Sequence, residues 1–522
     1  MRTKKLGGNL EWAVFSVAAV GLLGGCGAAQ DDAESRDSIE SQQQSLAAGT
    51  VVAYEAESLA RSASAIGSKV TTEAAASGGK YVEFNGTAAT GAWLEFTVPN
   101  VAAGAYDLKF RYKANNNRGI VQVSIDGVNQ GSACNEYAAT AANQIACVLG
   151  SKSLTAGNHQ IRFTVSGKAS TSSGYQLVVD QLSLTAKSEG PCDIYAAAGT
   201  PCAAAYSMVR ALSSRYAGPL YQVRNGSSAS NTGSGGQTKD IGTTADGYAD
   251  TAAQDSFCNG TICTVSVLYD QSGNRNDLKV AKRGTSSGGV RAALDDYESS
   301  ATKGAVNAGG HRVYSLYMDR YEGYRTPVGV KGTNVPLGSA AQGIYELADG
   351  THVGTACCWD FGNVSTNPTV YGRANSLFFG RAYWGSGAGA GPWFMADFEA
   401  GVWAGGSKAG DPGWGGLSDS HPPNPYNPTM NVPFALGFLK TSASRYAIRV
   451  ANAQTATTVT TAYAGLPAVT SNNLGGIVLG VAADNSNNSW GTFYEGALLA
   501  GYPSDSSELA VLNNIKAVGY SK

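Results

Sequence analysis

The chain has 522 residues, which is too long for one ordinary hydrophobic core, so two or more domains are expected. Its formal net charge is −2 and charged residues make up only 15% of it, so no basic stripe is available for a phosphate backbone, and nucleic acid is excluded as a partner. The 67 glycines favour many short strands joined by tight turns, a composition that suits secreted proteins that handle sugars.

Residues 1–26 have the pattern of an export signal. Positive charge comes first, and an apolar stretch follows over residues 12–23. This stretch is too short and too rich in glycine for a membrane span. It ends in Leu-Gly-Gly-Cys at residues 23–26, which resembles the lipobox of bacterial lipoproteins. The resemblance implies a lipid on Cys26 and an exported protein anchored at the bacterial cell surface or outer membrane. The alternative is an ordinary cleaved signal peptide and a secreted protein.

The nine cysteines fit an exported chain. Apart from Cys26 they fall into local couples, namely Cys134 with Cys147, Cys192 with Cys202, Cys258 with Cys263, and the adjacent Cys357 and Cys358. Such couples form disulfides in an oxidising compartment, although two free buried thiols are the alternative for the adjacent pair. A zinc–thiolate site is disfavoured, because no CxxC repeat occurs and the chain has only four histidines.

Two segments follow the signal. Residues 27–48 are rich in Asp, Glu, Ser and Gln, which predicts a disordered, solvated linker. Residues 49–187 then alternate between apolar and polar positions, for example over 93–98 and 106–112, with Gly, Asn or Pro in the turns. This period of two predicts an antiparallel β-sandwich.

The same segment carries a family resemblance. Its Tyr-Glu-Ala-Glu at 54–57, Gly-Ala-Trp-Leu-Glu-Phe at 91–96 and Gly-Tyr-Gln-Leu-Val-Val-Asp at 174–180 resemble carbohydrate-binding modules of families 6 and 35. The resemblance implies a jelly-roll module that binds a glycan. It also implies a structural calcium ion, and the ligands would be Glu55, Glu57 and Asp180. Carboxylate oxygens suit Ca²⁺, and ordinary solvated acids at strand ends are the alternative.

Residues 188–522 form the second predicted domain, which starts after the break Ser-Glu-Gly-Pro at 188–191. Strand-like runs such as 476–481 dominate it, and the main helical signals are near 203–213 and 506–517. The chain is therefore expected to be all-β, with a large β-sandwich after the N-terminal one.

One strand of this domain combines carboxylates with aromatic rings. With a period of two, one face holds Trp393, Met395, Asp397, Glu399 and Trp403, and the other holds Phe394, Ala396, Phe398 and Val402. Sugar cleavage uses carboxylates as nucleophile and proton donor, and aromatic rings pack on the sugar, so the first face is a candidate active site. A strand exposed on one side, with its acids in water, is the alternative.

Two further features fit a sugar-binding cleft. Asp484 directly follows an apolar strand, where an acid can face a cleft, although Asp is also an ordinary turn residue. A disulfide between the neighbours Cys357 and Cys358 would form a rigid, apolar plate that could contact a sugar.

A series of motifs runs in order through this domain, with characteristic cysteine spacing. They are Gly-Pro-Cys-Asp-Ile-Tyr at 190–195, Thr-Pro-Cys at 200–202, Gly-Pro-Leu-Tyr-Gln-Val at 218–223, Tyr-Asp-Gln-Ser-Gly-Asn at 269–274, Asp-Gly-Thr-His at 349–352, Ala-Cys-Cys at 356–358, Gly-Pro-Trp-Phe-Met-Ala-Asp-Phe-Glu at 391–399 and Gly-Thr-Phe-Tyr-Glu-Gly at 491–496. Together they resemble the catalytic domain of glycoside hydrolase family 54, whose members are retaining α-L-arabinofuranosidases on a β-sandwich.

The resemblance implies a role for each matching residue. Glu399 falls at the position of the nucleophile and Asp484 at that of the general acid/base. The positions that contact arabinose fall on Asp397, Trp384, Cys357 and Cys358. Two residues at the sugar subsite depart from the family pattern, since Ala400 stands where Asn is common and Ala483 where Gly is usual. Catalysis should survive these changes, but affinity or substrate choice is expected to differ.

The predicted activity is therefore the release of terminal arabinofuranosyl residues from plant polysaccharides by double displacement. Catalysis would need no cofactor, and the protein is expected to be a monomer. One rival is another exo-glycosidase on the same scaffold, a β-xylosidase or a galactofuranosidase, because of Ala400 and Ala483. The rival from a different class is a non-catalytic surface lectin, whose acids would serve only as hydrogen-bond partners for the sugar.

Overall fold

The computed structural model describes residues 50–522, apart from 103, 245, 285–293, 369–372, 382–384, 399–400, 408–413, 417–420 and 470–471. Strands dominate the described chain, which confirms the predicted all-β fold class. The predicted export signal with Cys26 and the predicted linker lie outside the described residues. Within the described ranges, no helix is both long and apolar enough to cross a membrane.

The N-terminal strands build three antiparallel sheets. The strands are β1 Val51–Glu55, β2 Ala60–Ala63, β3 Ser68–Thr72, β4 Lys80–Phe84, β5 Trp93–Val101, β6 Gly104–Ala114, β7 Ile120–Ile125, β8 Val128–Asn135, β9 Ala142–Leu154, β10 Gly157–Gly167, β11 Val178–Val179 and β12 Gln181–Ala186. The sheet orders are β1-β12-β6-β9, β2-β5-β10-β7-β8 and β11-β4-β3. Every second residue of β6 from Tyr106 onward is buried, and Phe110 packs on Phe163 of β10 with ring centroids 4.9 Å apart. The alternation in the sequence therefore becomes one side of a hydrophobic core.

The remaining strands form two large sheets and a small hairpin. They are β13 Cys202–Ser207, β14 Tyr221–Asn225, β15 Gln237–Ile241, β16 Thr264–Leu268, β17 Leu278–Val280, β18 Ala305–Ala308, β19 His311–Tyr314, β20 Leu316–Met318, β21 Tyr324–Arg325, β22 Gln342–Val353, β23 Asp360–Val364, β24 Ala374–Gly380, β25 Trp393–Phe398, β26 Gly401–Trp403, β27 Gly415–Gly416, β28 Ala435–Thr441, β29 Tyr446–Asn452, β30 Thr460–Gly465, β31 Gly476–Leu479 and β32 Gly491–Ala500. The 7-stranded sheet runs β13-β32-β22-β28-β29-β30, with β20 also on β32. The 11-stranded sheet runs β15-β14-β16-β17-β21-β31-β23-β24-β25-β26-β27, and β18 pairs with β19.

The two large sheets pack face to face. Phe398 of β25 meets Tyr446 of β29 with ring centroids 5.3 Å apart. Phe394 of β25 lies so close to β28 that a Cβ on Gly437 would stand 2.3 Å from its ring, so this contact requires glycine. These contacts between the 7-stranded and 11-stranded sheets confirm the predicted second β-sandwich.

In the described part of the chain, three α-helices border this sandwich. They are α1 Pro191–Ala197, α2 Thr251–Cys258 and α3 Asp505–Val518. The helix predicted near 506–517 is confirmed, but the one predicted near 203–213 is wrong, because that segment begins as the fully buried strand β13. The alanines of β13 favoured a helix by propensity, but all six residues of β13 are buried in the sheet, and this tertiary packing overrides the local preference.

All of the predicted disulfides are formed. The bonded pairs are Cys134–Cys147, Cys192–Cys202, Cys258–Cys263 and Cys357–Cys358. The alternative of two free thiols at the adjacent pair is therefore wrong. Since each of these cysteines has a partner close in sequence, the spacing alone was enough to predict the pairing.

Candidate active site

Strand β25 divides its side chains as the alternation predicts, but the predicted faces of Val402 and Trp403 are wrong. Strand β26 pairs antiparallel with β25 and sets Val402 opposite Asp397 and Trp403 opposite Ala396, so Trp403 lies in the core and Val402 lies on the face of Asp397. Phe394, Ala396 and Phe398 are buried in the core between the two large sheets. Trp393 and Met395 lie on the opposite face, in a small apolar cluster that also contains Cys358. Asp397 shares that face and is partly exposed. The opposite face therefore presents a carboxylate beside aromatic and sulfur-containing side chains, the combination predicted for a sugar-binding site.

A second carboxyl group lies beside Asp397. Asp360 begins β23, and its carboxyl oxygen, that of Asp397 and the sulfur of Cys358 all lie within 4.8 Å of one another. Burial, followed by the charge of Asp397, raises the pKa of Asp360 well above its ordinary value. Burial also raises the pKa of Asp397. This trio does not fit a metal ion, because the sulfur of Cys358 is held in a disulfide and is not a thiolate.

Asp484 belongs to the same cluster of acids. It lies in the turn after β31 and is 8% exposed, and its charge further raises the pKa of both Asp360 and Asp397. Its Oδ1 accepts a hydrogen bond from the backbone N–H of Ser486 at 2.9 Å. Asn485 between them has φ +68°, a conformation that asparagine tolerates better than most residues. The turn therefore holds the carboxylate in place with its own backbone.

A buried arginine stabilises this turn through hydrogen bonds. Arg325 of β21 donates to the carbonyl oxygen of Ala483 at 3.3 Å and to that of Ser365 at 2.8 Å. Burial lowers the pKa of Arg325 to about 10, while the charges of Asp296 and Asp484 oppose the shift. Asp296 in turn accepts hydrogen bonds from the side chains of Asn485 and Asn487 at 3.0 and 2.5 Å. Sequence reasoning missed Arg325 and Asp296, because neither lies near Asp484 in the chain.

The adjacent disulfide is tied to both sides of the site. The carbonyl oxygen of Cys357 accepts a hydrogen bond from the N–H of Asn488 at 3.1 Å, which links it to the turn of Asp484. The next residue, Trp359, is buried and donates its indole N–H to Glu346 at 2.8 Å. Burial raises the pKa of Glu346 to about 8, against the effect of the Trp359 hydrogen bond. Glu346 and Asp360 are the other acids that the sequence analysis missed, although Trp359-Asp360 directly follows the two cysteines.

The structure thus brings together Asp397, Asp484, Ala483, Cys357 and Cys358. The other predicted members of the site, Glu399, Ala400 and Trp384, lie outside the described residues. Asp397 lies on β25 of the 11-stranded sheet, and Asp484 lies in the turn after β31 of the same sheet. Strand pairing and not local spacing therefore places them on the same side.

The acids predicted as calcium ligands also approach one another. Ser77 links Glu55 and Asp180, since its hydroxyl donates to Glu55 at 2.8 Å and its N–H to the Asp180 carboxylate at 3.0 and 3.1 Å. Glu57 lies against the next residue, with Oε1 3.1 Å from where a Cβ on Gly78 would stand. One oxygen each of Glu55 and Glu57 is buried and finds no hydrogen-bond partner in the described part of the chain. Burial, with a smaller effect of the Glu55 and Glu57 charges, raises the pKa of Asp180 to about 6. Converging, unsatisfied carboxylate oxygens fit a hard cation.

Comparisons with known proteins point to one family. Residues 191–521 match the family model described as "Alpha-L-arabinofuranosidase B, catalytic". The chain is 40% identical over 340 residues to the probable alpha-L-arabinofuranosidase B of Aspergillus fumigatus, a match that covers 64% of this chain and 62% of that protein. It is also 40% identical over 340 residues to the arabinofuranosidase/B-xylosidase of Trichoderma koningii, covering 64% and 63% of the two chains. The chain therefore spans less than two thirds of the length of these relatives.

Solved structures give the same result. A GH54 α-L-arabinofuranosidase soaked with a cyclic sulfate inhibitor superposes with a TM-score of 0.56 at 38% identity, over 64% of this chain and 66% of that one. An arabinofuranosidase complexed with arabinofuranosyl-α-1,2-xylobiose superposes with a TM-score of 0.56 at 37% identity, over 63% and 65% of the two chains.

Proposed function

Because the chain belongs to the family of α-L-arabinofuranosidase B catalytic domains, we propose that it is an exo-acting α-L-arabinofuranosidase. It would release terminal arabinofuranosyl residues from plant cell-wall polysaccharides, with retention at the anomeric carbon. The observation that carries the proposal is the meeting of Asp397 and Asp484 beside the Cys357–Cys358 disulfide, within the matched residues 191–521.

The reaction proceeds by double displacement. Asp484 gives its proton to the glycosidic oxygen as the bond to the anomeric carbon breaks, and Glu399 forms an ester with that carbon. Asp484 then removes a proton from water, whose oxygen attacks the same carbon and expels Glu399. Asp397 accepts a hydrogen bond from a hydroxyl of the arabinose, and the disulfide packs on the ring.

The first test is hydrolysis of an aryl α-L-arabinofuranoside by the purified full chain. Glu399→Gln removes the nucleophile and should lower kcat/KM by at least about 1000-fold. Asp484→Asn removes the acid/base and should lower kcat by about 100- to 10,000-fold, because water then attacks the ester of Glu399 without a base. The matched control is Glu95→Gln in the N-terminal sandwich, whose carboxylate pairs with Arg162 and which should retain full activity. Undiminished activity of either site variant would refute the assignment of that residue.

A second candidate activity is β-xylosidase. It is favoured by the relative from Trichoderma koningii, which is named an arabinofuranosidase/B-xylosidase, and by the departures Ala400 and Ala483 at the sugar subsite. An aryl β-xyloside and an aryl galactofuranoside should therefore be assayed beside the arabinofuranoside. Turnover of one of these alone would move the assignment to that exo-glycosidase, and turnover of none would favour a lectin.

The N-terminal sandwich is proposed to be a glycan-binding module that holds a structural Ca²⁺. Support comes from the approach of Glu55, Glu57 and Asp180 around Ser77 and Gly78 and from their buried oxygens. The three carboxylates would hold the ion, which supplies positive charge at that point and takes no part in the cleavage reaction. Isothermal titration with Ca²⁺ should show one site that Glu57→Gln weakens.

The protein is further proposed to be exported and held at the bacterial surface by a lipid on Cys26. The Leu-Gly-Gly-Cys sequence at 23–26 supports this. Cys26→Ser should move the protein from the membrane fraction to the soluble fraction in a bacterial host. Equal membrane association of Cys26→Ser and the parent chain would contradict the anchor.

A further inference from the structure

Asp360 is a buried acid at the centre of the candidate site to which the proposed mechanism gives no task. Its side chain is 0% exposed, and its own carbonyl oxygen is fixed by the N–H of Gly480 at 2.8 Å. Strand β24 separates Asp360 on β23 from Asp397 on β25, and the two side chains meet over that strand. Within the described residues, no hydrogen-bond donor reaches either carboxyl oxygen of Asp360.

Two carboxylates in this arrangement cannot both be charged. They would repel each other, and each oxygen can only accept a hydrogen bond, so a single shared proton turns the repulsion into a hydrogen bond. The proton belongs on Asp360, because its carboxyl is fully buried and has no other donor within the described residues, whereas Asp397 is partly exposed. The other acids that act on Asp360 are Asp484 in the turn after β31 and Glu346 on β22, and the ionised form of either acid favours the proton on Asp360.

We propose that Asp360 is the positioning residue of the sugar subsite, which stays protonated and donates its O–H to Asp397. One oxygen of Asp397 is thereby fixed, and the other remains a charged acceptor directed toward an arabinose hydroxyl. The proposal rests on the proposed function in one respect only, namely that Asp397 contacts the sugar.

The arrangement gives substrate binding a defined pH dependence. Since burial raises the pKa of Asp360, the proton stays bound through the acidic and neutral range and is lost as the pH rises through the raised value. Loss of the proton places a second negative charge beside Asp397 and removes its fixed hydrogen bond. KM should therefore rise at alkaline pH, with a smaller change in kcat.

Two substitutions at position 360 separate positioning from simple structural support. Asp360→Asn keeps the shape and donates an N–H that cannot be lost, so its kcat/KM should lie within about 3-fold of the parent chain and its KM should not rise at alkaline pH. Asp360→Ala removes the donor, and its kcat/KM should fall about 10- to 100-fold, mainly through KM, as expected for the loss of one hydrogen bond to a charged group. The matched control is Glu136→Gln, which alters another fully buried acid in the N-terminal sandwich and should change neither parameter.

Infrared difference spectroscopy of the full chain tests the proton itself. The parent chain minus Asp360→Asn should show the carbonyl band of a protonated carboxyl group at neutral pH. Absence of that band, or equal losses of activity in Asp360→Asn and Asp360→Ala, would overturn the proposal. If the parent chain hydrolyses no glycoside, the proposed function fails, while the band still decides whether Asp360 carries the proton.

Discussion

At the scale of single residues, the candidate site is a group of buried acids with one buried cation. Burial raises the pKa of Glu346 and Asp360, so these carboxyl groups are neutral where an exposed carboxyl group would be charged. Arg325 stands on the other side of the turn that carries Asp484 and donates to backbone oxygens instead of forming a direct ion pair with that acid. The site therefore holds two neutral carboxyl groups, those of Glu346 and Asp360, near the turn that carries Asp484.

Arg325→Lys tests the support of the catalytic turn. A lysine has one terminal nitrogen and cannot reach both Ala483 and Ser365, so the turn loses a tether. We expect kcat for an aryl α-L-arabinofuranoside to fall about 10-fold with a smaller change in KM, because Asp484 is displaced. Steady-state kinetics beside the exposed Arg215→Lys measures this. A stable variant with unchanged kcat would show that the tether is dispensable.

Glu346→Gln tests the neutral acid beneath Trp359. The pKa of Glu346 is raised to about 8, so its contribution to stability is fully present below about pH 4.5 and is lost as the pH rises through about 8. Glutamine keeps the acceptor for the Trp359 indole and does not titrate. The free energy of unfolding should therefore decline by a few kcal/mol less between pH 5 and 8.5 in Glu346→Gln than in the parent chain. Denaturant titrations at these two pH values, with the exposed Asp319→Asn as control, provide the measurement. Equal declines in the free energy of unfolding of Glu346→Gln and of the parent chain would contradict the prediction.

At the scale of elements, local sequence signals are strongest where an element ends. Helix α3 begins after Ser504, whose hydroxyl accepts from the N–H of Ser507 at 3.1 Å, and it ends at Gly519 with φ +67°. Helix α1 also has a capping signal, since the Asp193 side chain accepts from the N–H of Gly190 at 2.9 Å, but the sequence analysis did not predict it. At seven residues it has too little periodicity to stand out from the surrounding strands.

The docking of α3 depends on a buried ion pair. Glu508 of α3 is fully buried and contacts Lys440 of β28 at 3.3 Å and Arg449 of β29. Glu508→Ala leaves two cations without their buried partner and should destabilise the protein by about 3–5 kcal/mol. Asp505→Asn changes an exposed acid that contacts the same two cations and should cost less than about 1 kcal/mol. Denaturant unfolding of both variants provides the comparison, and similar losses would contradict the distinction between buried and exposed pairs.

At the scale of the whole molecule, the described residues form two large hydrophobic cores. One gathers side chains between Ala56 and Ala186, and the other gathers side chains between Cys192 and Tyr520. Among the described strands, those of each region pair only with one another in the sheets. If a ligand stabilises one core, the change in the stability of that core should therefore be measurable separately from the stability of the other core.

Calcium should stabilise the first core alone. Ca²⁺ at Glu55, Glu57 and Asp180 binds the folded N-terminal sandwich, so an excess of about 100-fold over Kd adds about 2.7 kcal/mol to its stability. Calorimetry of the full chain should show one thermal transition that moves up by about 5–10 °C between chelator and Ca²⁺, with the other transition unchanged. The shift should vanish in Glu57→Gln and persist in Glu95→Gln. Two transitions that both ignore Ca²⁺ would exclude the site.

The sequence by itself determined what depends on neighbouring residues. The alternation along β25 separated Phe394 from Asp397, and close spacing paired each couple of cysteines. Family motifs placed the catalytic domain, which the match over residues 191–521 supports. These features could be predicted from the sequence because period, spacing and motif are local properties of the chain.

Only the tertiary structure decided which distant side chains share the site. Arg325 meets a residue 158 positions away at Ala483, and Asp360 meets Asp397 because β24 pairs with both of their strands. Strand order follows from packing the two large sheets over one core, which no local pattern specifies. The same packing removes Asp360 from water, and burial rather than residue type raises its pKa.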